Sequence, residues 1–212
     1  MRKPCPFEIV AFIVICSYLI SSWSRFYIIE MFITYPLMGV VFYLFPREIL
    51  ADNTPDSVYS ILSAIQALLF VGIGYHWFAD SAHNFLENAP SHIESYLFFH
   101  DEIMSHTIML LSIFSYITVL SWAYIKWKKD FEFTKFYKIL SFPAGIGFGM
   151  MIMDIDAYFI REAVFIYALL MLFILLKHRK AGCFIQIELL FFGGTVLVLG
   201  IFIFAKTVIY IN

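Results

Sequence analysis

Residues 184–210 read FIQIELLFFGGTVLVLGIFIFAKTVIY. Only Glu188 and Lys206 carry charge in that stretch, and no proline interrupts it. About 20 mainly apolar residues, rising about 1.5 Å each, match the hydrocarbon core of a bilayer. Lipid offers no hydrogen bonds, so a chain crossing it must satisfy its own backbone groups, as a helix does. The stretch therefore predicts a membrane-spanning helix. Six others share its character, giving expected spans at 6–23, 26–45, 58–79, 103–125, 139–156, 160–176 and 184–210, with Pro36 placed to kink the second. The expected fold is all-α, a polytopic integral membrane bundle of about seven helices in a single domain.

The composition agrees. Of 212 residues, 62% are hydrophobic, 20% aromatic and 14% charged, against roughly 45–50% apolar and about 25% charged in soluble domains. A disordered chain is excluded by this apolar content, a disulfide scaffold by the three cysteines, and nucleic-acid binding through a basic field by the net charge of −2. With seven spans and a cytoplasmic N-terminus, eleven of the fourteen Lys and Arg fall on the cytoplasmic side, leaving Arg25, Arg161 and Lys206 on the other. Arg2 and Lys3 before an apolar run resemble a signal peptide, but bulky Leu19, Ile20 and Trp23 surround Ser21 and Ser22, so the segment reads as an uncleaved first helix. Cys5 and Cys183 fall on the reducing side as free thiols. Gly145 and Gly149 form a small-xxx-small pair, and Gly193 and Gly200 lie seven apart, spacings that suit close helix packing.

The chemistry concentrates in 75–107, YHWFADSAHNFLENAPSHIESYLFFHDEIMSHT, which holds five of the six histidines and five of the sixteen carboxylates. His76, Asp80 and His83 share one helix face, and Glu102 and His106, four apart with Ser105 beside them, share another. Pro90 marks the turn between the two helices. Counting about 1.5 Å per residue along two antiparallel neighbours sets His76 level with His106. It also sets Asp80 and His83 level with Glu102, Asp101 and His100. Asp154, Asp156, Arg161 and Lys206 fall in the same layer, at the non-cytoplasmic end. Ionisable groups at that depth need a partner, a metal or a wet cavity.

The first reading is a metal site. Imidazoles with carboxylates suit zinc, and also iron or manganese. His76, His83 and His106 are the expected ligands, with Asp101 in the metal group as the carboxylate that orients an imidazole. Asp80 and Glu102 are the expected catalytic carboxylates, as fourth ligand or general base. Water activated there suits hydrolysis of an amide or ester in a membrane lipid. Seven spans with Ser81, His83 and the Asp101–Glu102 pair also resemble the CREST group of membrane hydrolases, which includes alkaline ceramidases and progestin/adiponectin-type receptors. That resemblance implies a metal-dependent lipid hydrolase. The group's pair of histidines on the last helix has no counterpart here, since 184–212 contains none.

The second reading is a non-catalytic accessory subunit with protein partners in the bilayer, anchored by Tyr75, Trp77, Tyr96 and Tyr158. The third is a proton or small-cation transporter, for which Ser63, Gln66, Ser112, Ser115 and Glu188 offer a sparse path. Nucleophile elbows, P-loops, dinucleotide loops and C-x-x-C are all missing from the sequence. Six histidines cannot supply the paired boxes of diiron desaturases. The basic cluster at 126–138 reads as a topology anchor, with anionic-lipid binding as its alternative.

Overall fold

The computed structural model describes residues 35–86, 90–129, 135–153, 155 and 158–211, with the backbone alone at 80, 83–85, 135–137, 151, 158 and 207–211. The expected first span, Cys5, Cys16, Glu87, Asp154 and Asp156 lie outside the described residues. Within them the elements are α1 (Tyr35–Ile49), α2 (Asp56–Phe85), α3 (Ser91–Phe98), a π-helical segment (Phe99–Ser105), α4 (His106–Trp127), α5 (Lys135–Met153), α6 (Tyr158–Lys177) and α7 (Cys183–Ile211). No strand occurs among the described residues; a single antiparallel bridge joins Leu50 and Lys128.

Among the described residues four stretches are long and apolar enough to cross a membrane: Asp56–Ala79, Ser91–Trp127, Phe159–Lys177 and Cys183–Lys206. The second begins twelve residues before the expected 103. Pro90, extended at φ −55° and ψ 146°, stands at the N-terminal cap, and the helix runs on from Ser91 through the π segment. Of the expected second span only 35–45 is described, inside α1, whose last turn carries Pro46. Outward-facing side chains are large and apolar, Phe173 at 73% and Phe204 at 72% exposure among them. Such a surface suits hydrocarbon rather than water.

The chain divides into two compact units, residues 1–67 with 116–130 and residues 68–115 with 131–212. In the first, the end of α1 is tied to the end of α4 by Ala51 N–H donating to Trp127 O at 2.7 Å and Lys129 N–H to Ile49 O at 2.9 Å. Tyr116, edge-on to Phe42 at 4.7 Å, donates its hydroxyl to the Phe42 carbonyl at 2.5 Å. Arg47 lies over Tyr43 and Tyr59, and Lys126 over Trp122 and Trp127. Cations against aromatic faces at helix ends make the belt expected at a membrane–water boundary.

In the second unit α7 packs along α5 and α6. Small residues let α5 and α7 touch backbone to backbone: a Cβ on Gly145 would lie 1.9 Å from Phe191 O, and one on Gly194 would lie 2.4 Å from Phe142 O. Thr195 donates its hydroxyl across the same crossing to Gly145 O at 3.1 Å. Gly145 is thus a contact glycine as its spacing predicts, but its counterpart on α7 is Gly194 rather than Gly193. Ile152, Ile160, Val164 and Leu199 form the adjoining core with Leu110 of α4. Tyr167 stacks on Phe114 at 4.0 Å and donates to its carbonyl at 2.9 Å.

Candidate functional site

The site is built where α2 meets the π segment and the start of α4, all within the second unit. Gly72 makes the meeting possible. A Cβ there would lie 2.9 Å from Met109 Cγ and 3.1 Å from Met109 N, so the two backbones pass closely. One turn along α2 is His76; one turn back from Met109, at the end of the π segment, is Ser105. His76 Nδ1 lies 2.7 Å from Asp101 Oδ1 and 3.3 Å from Ser105 Oγ, and the His76 and His106 rings stand 4.7 Å apart at 55°.

The π segment decides which residues face α2. Its i→i+5 bonding adds a residue to the turn, and such local widening recurs at functional positions. Counting at α-helical pitch set Asp101 level with Asp80 and His83, whereas its carboxylate contacts His76. Ser105, fully buried, donates its hydroxyl to the Asp101 carbonyl one turn earlier, a bond that braces this turn.

Two imidazoles are held through the same ring atom. His76 Nδ1 faces a carboxylate, and His106 Nδ1 faces the Glu102 carbonyl oxygen at 2.9 Å and the Glu102 carboxylate at 3.8 Å. His106 Nδ1–H is donated to oxygen, so its lone pair lies on Nε2, free to bind a metal or accept a proton. Asp101 is buried, and its Oδ1 accepts no aligned hydrogen bond among the described residues. A buried carboxylate in that condition is costly unless positive charge stands close by.

Of the expected site residues, then, His76, His106, Asp101 and Glu102 are brought together. Asp80 and His83 lie about one and two turns beyond His76 on α2, with side chains outside the described residues. Among the described residues no three His, Cys, Asp or Glu side chains converge to hold a metal ion.

Three neighbours were not among the expected site residues. Ser105 is one. Tyr75 and His100 form a second polar contact, the Tyr75 hydroxyl against His100 Nδ1, with Tyr96 and Phe99 packed about the His100 ring at 4.2 and 5.5 Å. The adjacent pairs Tyr75–His76 and Ser105–His106 were the available signal. Comparison with family models, curated proteins and solved structures finds no match to this chain.

Proposed function

We propose that the chain is an integral membrane protein of seven spans, N-terminus cytoplasmic, that hydrolyses an amide or ester bond of a membrane lipid at the non-cytoplasmic boundary with a bound metal. The buried Asp101 carboxylate 2.7 Å from His76 Nδ1, beside a His106 imidazole anchored through Nδ1, carries this reading. His76 and His106 would hold zinc, iron or manganese through Nε2, with His83 or Asp80 completing the set. Asp101 orients His76 from behind and balances the added charge. When bound, the metal supplies Lewis acidity toward a water and a scissile carbonyl. Glu102, half-buried beside His106, would take the proton of the attacking water.

The test is fatty-acid release from amide- and ester-linked lipids by the reconstituted protein. Release should stop on chelation and in His106→Ala, and zinc, iron or manganese should restore it to the chelated wild type. Folded wild-type protein that releases nothing from either lipid class overturns the proposal.

One observation favours a second reading, a non-catalytic subunit: Ser105 and His106 each bond to a carbonyl one turn earlier, as packing groups do. Co-purification with a partner at fixed stoichiometry, insensitive to His76→Ala and His106→Ala, is its expected result. The transport path gains little, because Gln66 and Ser112 donate to the carbonyls of Gly39 and Ile108 at 2.7 Å each.

A further inference from the structure

At the C-terminal end of α6 an open cleft of about 800 Å³ is lined by Phe173, Leu176, Lys177, His178, Arg179 and Lys180. Its two kinds of wall are sorted. Phe173 and Leu176 are exposed apolar side chains on the last turns of the helix, at 73% and 52%. Immediately beyond them Lys177, Arg179 and Lys180 are exposed, and none of the three is ion-paired among the described residues. No Asp or Glu occurs anywhere between Glu162 and Glu188. Three cations with no carboxylate nearby in sequence line a cleft whose other wall, Phe173 and Leu176, is apolar.

We infer that this cleft binds an anionic phospholipid, its phosphate held by Lys177, Arg179 and Lys180 and its acyl chain laid against Phe173 and Leu176. A free anion would use only the cationic wall, and a zwitterionic lipid would bring its own cation against that wall. An anionic diacyl lipid satisfies both. Arg179 offers the planar fork that matches two phosphate oxygens, and the lysines add point charge. The inference stands apart from the proposed hydrolysis, since neither His76 nor His106 lines this cleft.

The probe is phosphatidylglycerol against phosphatidylcholine, each added to the detergent-purified full chain and read as retained lipid by native mass spectrometry. One basic residue near an anionic headgroup is worth roughly fivefold in affinity, so three predict a preference for phosphatidylglycerol of at least about tenfold after screening. The preference should fall as salt is raised in the wild-type protein, a measurement that needs no variant. It should fall in Arg179→Gln and vanish in the triple variant Lys177→Gln, Arg179→Gln, Lys180→Gln. The control Lys126→Gln, Lys128→Gln, Lys129→Gln should keep it. Equal retention of the two lipids overturns the inference, as does equal loss in both triple variants. Displacement of the lipid by inorganic phosphate alone at matched ionic strength also overturns it, by showing a simple anion site.

Discussion

Replacing Gly145 with alanine should loosen the α5–α7 pair. The added Cβ would lie 1.9 Å from Phe191 O, 2.7 Å from its carbonyl carbon and 3.0 Å from its Cα. Every one of these is backbone, so no side chain can swing aside. An unstrained carbon–oxygen contact is about 3.3 Å, and the helices must part by more than an ångström to restore it. A gap of that size forfeits about half or more of the dispersion energy of the atoms along the seam. Lipid tails are as apolar as the helix faces, so no hydrophobic force draws the pair back together. Overpacking of this kind costs about 3 kcal/mol at its upper range. Thr195 loses its 3.1 Å bond to the Gly145 carbonyl, worth about 1 kcal/mol. Alanine returns about 1 kcal/mol of helix propensity, which leaves a net loss of about 3 kcal/mol.

Gly147 is the matched control. It lies on the same helix two residues on, and nothing stands within 4 Å of its would-be Cβ. Gly147→Ala should therefore be neutral or stabilising by up to about 1 kcal/mol. Thermal unfolding of both variants in one detergent decides the matter. At about 2–4 °C per kcal/mol for a chain of this size, Gly145→Ala should melt roughly 6–12 °C below wild type. Equal melting of the two variants would refute the close crossing at Gly145.

Other perturbations have different signatures. Asp101→Asn keeps shape but removes the charge beside His76, and should weaken metal binding about 10–100-fold while the melting temperature changes little; metal titration checks it. Tyr116→Phe deletes the hydroxyl bond to Phe42 O and keeps the edge-on ring contact, so unfolding should show a loss of only about 0.5–1.5 kcal/mol. Gly72→Leu should push α2 off Met109 and separate His76 from Asp101, lowering metal content in protein that still inserts.

Element type was legible in this sequence because long apolar runs have few solutions in lipid, and 184–210 is one of them. Helix pairing was less so. The spacing of Gly145 and Gly149 announces a contact face, but which α7 residue meets it depends on the crossing, and Gly194 rather than Gly193 fills that place. His76 and His106 could be set level by counting, because rise per residue is constant along regular helices. Asp101 could not, since the π turn spanning Phe99–Ser105 leaves no period in the sequence and breaks the regular count along the helix. Gly72 carries no signal in the sequence for a related reason: a lone glycine in an apolar run acquires meaning only with Met109 packed against it.

The central claim is that the imidazole pair holds a metal, and the most direct measurement is elemental analysis of the detergent-purified protein, prepared without chelators. The account predicts about one equivalent of zinc, iron or manganese per chain in the wild type, lost in both His76→Ala and His106→Ala while the protein remains folded. Wild-type protein that is folded and metal-free, and stays so after incubation with each of the three ions, would contradict it.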